Sequence, residues 1–179
     1  MFRTAEWYSD LLTKSLKTAS LPCKPSVTRT AMPTPRYSPE LLQQTQATVT
    51  GFFQDLGCEL VAYGPDEATI GLTLQPRHLN NASHMHGGVM ATLMDVAMGL
   101  CGTWEADPAQ RRVATTLSMS LNFSAPAAGE SRVRAVARCR SGGHKVFMAS
   151  CDLLDEDDRL IAFGEGVFKR GALRSELPG

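Results

Sequence analysis

A chain of 179 residues, 43% apolar and 20% charged, has room for one domain with its own core and not for two ordinary ones. Lys plus Arg balance Asp plus Glu at 18 each, which excludes broad electrostatic capture of nucleic acid and leaves open a local basic patch for a small anion. Five cysteines, odd in number and without CxxC spacing, favour reduced thiols and a cytoplasmic protein, and no stretch approaches the roughly 20 apolar residues of a membrane-spanning helix.

Residues 1–36 read as a peripheral extension, with two acidic and six basic residues and a short amphipathic segment around 4–18. The Pro-, Ser- and Thr-rich run "ASLPCKPSVTRTAMPTPRYSPE" then reads as a linker. The domain is expected over 37–171, with a tail at 172–179. It opens on a helix capped by Ser38 and ended by Gly57. "CELVAYG" and "EATIGLTLQP" are strand-like runs joined by a turn, and 88–102 is too long and too apolar for a strand. Four further strands follow in "VATTLSMSLNFSAP", "SRVRAVARCRSG", "KVFMASCDLLD" and "RLIAFGEGVFKR", the last two joined by the turn "DEDDR". The order predicts an α+β domain, a six-stranded antiparallel sheet wrapped around one long helix. A helix apolar on nearly every side must be covered on both, and a second subunit is the simplest cover.

That helix carries one carboxylate, Asp95, in its middle. A carboxylate inside an apolar helix is costly without a partner, and its neighbours Ala91, Thr92 and Gly99 are small enough to leave space beside it. Burial among Met and Leu is expected to raise its pKa towards that of a useful base. Gly87 and Gly88 lie where the helix begins, so unpaired N–H groups there suit a developing oxyanion. Gly87 and Asp95 are eight residues apart, or roughly 12 Å along one helix. They reach one carbonyl only if two helices run antiparallel across a two-fold axis. His84 and His86 have no closely spaced third ligand, so no metal is expected. No GxSxG or phosphate-loop motif is present, and Cys101 reads as packing. Met90, Met94, Met98 and Met119 fit either an adaptable acyl tunnel or plain core.

The spacing Asn80…His86-Gly87-Gly88…Asp95, followed by "TTLSMSLNFSAPAAGE" and the two closing strands, resembles the PaaI-like acyl-CoA thioesterases of the hotdog superfamily over about residues 38–169. The resemblance implies a hotdog fold, a homodimer that pairs further into a homotetramer, and hydrolysis of aryl or medium-chain acyl-CoA without a cofactor, coenzyme A being part of the substrate. It assigns Asp95 as base or nucleophile, the Gly87 amide as oxyanion donor, Asn80 and His86 as orienting groups, and Thr116, with Thr115 next, as the assisting hydroxyl. The family's glycine between Asn and H-G-G is absent here, where the chain reads "NASHM". Gly88 and Thr92 are expected against the substrate. Arg138, Arg140, Gly143, His144 and Lys145 around the "SGG" turn, with Arg111–Arg112 before a strand, are candidate contacts for phosphates. A non-catalytic acyl-CoA-binding module and a hotdog dehydratase or hydratase are the alternatives.

Overall fold

The computed structural model describes residues 43, 45, 46 and 51–173. The extension with its helix at 4–18, the linker and residues 174–179 lie outside them, as does most of the expected helix at 38–57. Its end is the short helix α1, Phe52–Asp55, closed by Gly57 at φ 76°, a left-handed conformation that a side chain would disfavour.

Six strands follow the expected order: β1 Glu59–Gly64, β2 Glu67–Thr73, β3 Arg112–Phe123, β4 Arg132–Gly142, β5 Val146–Leu154 and β6 Leu160–Leu173. They form one sheet in the order β1-β2-β4-β5-β6-β3, antiparallel at every joint. The helix α2, Gly87–Cys101, touches all six strands. This is the hotdog architecture, an antiparallel sheet curled about one long helix.

Side-chain size explains how α2 seats so closely. β4 alternates Val133, Ala135 and Ala137 inward with arginines outward, and β5 turns Phe147, Ala149, Cys151 and Leu153 inward. Small residues at the sheet centre let Leu93, Met94, Ala97 and Met98 of α2 pack directly on the strands, each fully buried. Met90, Met94 and Met98 are therefore core, and the tunnel they offered on paper is filled. At the other end of α2, a Cβ on Gly102 would lie 2.1 Å from the Phe147 ring, which stacks on Phe168 at 5.3 Å.

Two surfaces stay open. β3 is an edge strand of 12 residues, long and mostly exposed, with Leu117 and Phe123 each 55% accessible. Unpaired backbone groups beside apolar side chains make such an edge a template for another strand. The flank of α2 carrying Ala91, Thr92, Asp95 and Val96 is only half-buried, so the protomer covers one side of the helix and not the other.

Two buried groups tie stability to pH. His78 is fully buried, and burial lowers its pKa, outweighing the hydrogen bond to the Leu56 carbonyl that raises it. Burial pushes the Asp155 carboxyl up. Its hydrogen bonds from Arg159 and Asp157, at 2.8–3.1 Å, hold it below its ordinary value on balance. Both groups bind protons more readily in the unfolded chain. Their stabilisation is therefore full above the unfolded pKa and lost as pH falls, below roughly 6.5 for His78 and below about 3.9 for Asp155. Urea unfolding midpoints are expected to fall in two stages on acidification. Asp155→Asn should lower the midpoint at pH 7 and flatten the limb below pH 4; an unchanged acid limb in that variant would count against the assignment.

Candidate active site

The site begins at the N-terminus of α2. His86 is the N-cap, with φ −67° and ψ 136°, and its Nδ1 accepts the Gly88 N–H at 2.9 Å. A neutral imidazole accepting at Nδ1 carries its proton on Nε2, so the ring keeps one outward donor. A Cβ on Gly88 would lie 3.0 Å from that Nδ1, so a side chain there would crowd the capping imidazole. Gly88 thus gives its amide to the cap. The Gly87 N–H finds no acceptor among the described residues. A Cβ on Gly87 would touch only the Phe123 ring, at 3.7 Å. One glycine closes the cap and the other leaves an amide free.

The approach to this amide is held by the backbone. His86 N donates to His78 O at 2.8 Å, and Met85 N to Ala127 O at 2.9 Å. Asn80 Oδ1 accepts from Ala82 N at 2.9 Å and His84 N at 3.2 Å, shaping the exposed loop before the cap. In the protomer Asn80 is therefore a loop-forming residue with its amide donors unused among the described residues.

Two turns further along α2, Asp95 Oδ1 accepts a 2.6 Å hydrogen bond from Thr116 Oγ1 on β3. Thr116 stands opposite core Phe168, whereas Thr115 pairs with Lys169 and faces the other side of the sheet. Of the two candidate hydroxyls, the strand register selects Thr116. Thr92 donates its hydroxyl to Gly88 O at 2.9 Å, within the helix. Asp95 is half-buried rather than enclosed; the burial expected for it is not supplied by one protomer. Beside it lies a cavity of about 240 Å³ bounded by Gly99, Thr103, Arg112, Val113 and Ala114.

The basic residues grouped along the sequence divide between two faces. Arg138 and Arg140 stand on the outer face, across the sheet from Asp95: Arg138 lies 4.0 Å from Glu67, and Arg140 Nε donates to Ser150 Oγ at 2.6 Å. Strand alternation, which the sequence displays, puts them there with Val136 while Ala135 and Ala137 face α2. Gly143 and His144 do reach the helix side, lining a second cavity of about 460 Å³ at the C-terminal end of α2. Lys145 is exposed beside them and its carbonyl accepts from Arg170 N at 2.8 Å. Arg111 and Arg112 also part: Arg111 is buried over the Tyr63 ring, 5.4 Å from its centroid, while Arg112 borders both cavities.

One residue escaped the sequence reading. Arg170 Nε donates to Gly102 O at 2.7 Å and Nη1 to Gly143 O at 2.5 Å, fastening the end of α2 to the turn that carries His144. Its partners lie 68 and 27 residues away, so no local pattern announces it. Cys101 is excluded as a nucleophile, because burial, with Cys139 and Asp66 adding to it, pushes its thiol up to about 12. Among the described residues no cluster of three His, Cys, Asp or Glu side chains is disposed to hold a metal ion, and no helix is long and apolar enough to cross a membrane.

An antiparallel sheet curled around a helix that opens on H-G-G and carries one hydroxyl-bonded carboxylate defines a hotdog-fold protein. The profile of the thioesterase superfamily matches residues 82–162 of the chain. Its sequence is 29% identical over 133 residues to the medium/long-chain acyl-CoA thioesterase YigI of Escherichia coli K12, covering 67% of this chain and 85% of that one. In structure it is similar to the conserved protein PA5202 of Pseudomonas aeruginosa, with TM-score 0.63, 27% identity and coverage of 69% and 96%. The PaaI protein of the E. coli phenylacetic acid degradation operon superposes with TM-score 0.66 at 17% identity, over 75% of this chain and 94% of that one, a likeness of fold.

The cap geometry makes a separable prediction. Gly88→Ala should displace His86 and cost about 1 kcal/mol of stability, the ordinary price of a lost N-cap, whereas Gly87→Ala should leave stability nearly unchanged. Chemical denaturation of the two variants checks this, and equal losses would refute the division of roles between the glycines.

Proposed function

We propose that the protein hydrolyses acyl-CoA thioesters to the free carboxylic acid and coenzyme A, in a site that two copies of the chain build together. The observation carrying this reading is the 2.6 Å Thr116–Asp95 hydrogen bond beside an open cavity, on the same helix as the unused Gly87 amide. Thr116 fixes one carboxylate oxygen and leaves the other for a water or for the carbonyl carbon itself. In the general-base form, the water oxygen attacks the thioester carbon while its proton passes to Asp95. The carbonyl oxygen becomes an oxyanion, held by an N–H at the positive end of a helix. Collapse expels the thiolate, which then takes the proton. A thiol of pKa about 8.5 is a good leaving group, so the site needs no strong acid. The outward Nε2–H of His86 and the free amide of Asn80 are suited to orient substrate or water.

Rigid geometry makes the reading dimeric. Eight residues of helix separate Gly87 from Asp95 by roughly 12 Å, too far for both to serve one carbonyl. Antiparallel pairing of two β3 edges would continue the sheet, cover Leu117 and Phe123, and close the half-buried flank of α2. It would also bring the partner's Gly87 towards Asp95 and shield that carboxylate from water. Val96, Leu100, Val113 and Ala114 give the cavity beside Asp95 an apolar wall suited to an aryl or medium-length acyl group, and similarity to YigI, named for medium and long chains, supports that class.

Asp95→Asn should fold and associate normally yet release thiol from octanoyl-CoA at least about 100-fold more slowly. Gly87→Pro removes the proposed oxyanion donor cleanly, because proline is favoured at the first helical position and the ψ of His86, 136°, already suits a following proline. Its kcat should fall by about 100-fold or more. Equal mixing of the two inactive variants after unfolding and reassociation should restore about one quarter of wild-type activity, since half the dimers are hybrids with one intact site of two. No recovery on mixing would place the whole site in one chain. Thiol release at the wild-type rate by Asp95→Asn would remove Asp95 from the chemistry.

A further inference from the structure

The two cavities along α2 share Thr103 and Arg112 as walls, so they are neighbours along the helix. From these walls we infer that Arg112 is the anchor for an anionic group of the thioester. The inference rests on the proposed hydrolase reading and adds the residue that binds charge, on the wall of the cavity beside Asp95.

Two guanidinium groups line these two cavities, those of Arg112 and Arg170. Arg132, Arg134, Arg138 and Arg159 all have carboxylate partners: Glu59, Asp158, Glu67 and Asp155. Arg170, which lines the same larger cavity, has spent Nε and Nη1 on the carbonyls of Gly102 and Gly143. Arg112 donates once, from Nη1 to Gly171 O at 3.0 Å, and has no carboxylate partner among the described residues. A guanidinium has five N–H donors, so that single bond orients the fork and leaves most of it for a ligand.

The surroundings favour an anion there despite the negative end of the helix dipole. Arg170 binds the Gly102 carbonyl, and the Thr103 hydroxyl is shared between Gly99 O and Leu100 O, each at 3.1 Å, so these three carbonyls are already engaged. Trp104, a second wall residue, has its Nε1–H shielded from solvent with no acceptor among the described residues. Asp66 and Glu105 also border the cavity; both are exposed to water, where their repulsion is screened. An anion at Arg112 would lie along α2 from the reacting carbonyl, and two parts of a thioester could supply it: the phosphates of coenzyme A, or a carboxylate at the far end of the acyl group.

The test is steady-state hydrolysis by wild type, Arg112→Gln and Arg112→Lys, together with calorimetric binding of free coenzyme A. Substrates are octanoyl-CoA, the octanoyl thioester of N-acetylcysteamine, which lacks phosphates, and an ω-carboxyoctanoyl thioester of N-acetylcysteamine. If the anion is phosphate, Arg112→Gln raises KM for octanoyl-CoA at least about tenfold and leaves kcat within about twofold. Arg112→Lys falls between, and neither N-acetylcysteamine thioester responds. If the anion is the acyl carboxylate, only the ω-carboxy thioester shows that rise. Unchanged KM for all three substrates overturns the inference. Should wild type release no thiol from any of them, the hydrolase reading fails, and coenzyme A binding decides alone: affinity lost about tenfold in Arg112→Gln supports the anchor, while equal affinity, or no binding by wild type, overturns it.

Discussion

The structure depends on one close packing, that of α2 on a sheet whose central strands present alanine. Ala135, Ala137 and Ala149 let the helix sit directly on the strands, and each is at most 1% exposed. Once seated, the helix is a rigid rod, and every group it carries is fixed relative to the others. Gly87 stands at one end, Asp95 two turns on, and Gly102 at the far end, pinned by Phe147 and Arg170. The positions of the proposed reactive groups are therefore consequences of core packing rather than of loops.

The same rod divides the donors at its own N-terminus. A helix leaves its first amides without partners, and in the H-G-G motif His86 takes the Gly88 amide while the Gly87 amide stays free. The histidine thereby fixes its tautomer, and the two glycines cease to be interchangeable. Asp95 is likewise held from outside its helix, by Thr116 on the edge strand β3. That strand is also an edge of the sheet, so the residue that orients the carboxylate lies on the border that the proposed dimer would pair. In the proposed function, catalysis and association are therefore expressed through one strand.

Much of the fold was legible in the sequence because its signals are local and periodic. The alternation in "SRVRAVARCRSG" and "KVFMASCDLLD" marks strands with one buried face, and the unbroken apolar run after Gly88 marks the covered helix. The H-G-G motif eight residues before an aspartate also locates the candidate site, since capping and helical rise are properties of neighbours in the chain. The basic cluster was less legible. Residues 138–145 look like one patch when written in a row, yet the pleat sends Arg138 and Arg140 to one face, and the turn brings Gly143 and His144 to the other.

The sequence by itself therefore determined the element order, the single-layer sheet around a helix, and the candidate pairing of a glycine amide with a carboxylate too distant to share one carbonyl within a chain. Only the tertiary structure decided which threonine binds Asp95, which glycine amide remains free, and which arginines face the cavities. Those choices are set by strand register and by contacts such as Arg170 with Gly102, 68 residues apart. Pairings of that kind come from how the sheet closes on the helix, and no local pattern of residue types encodes them.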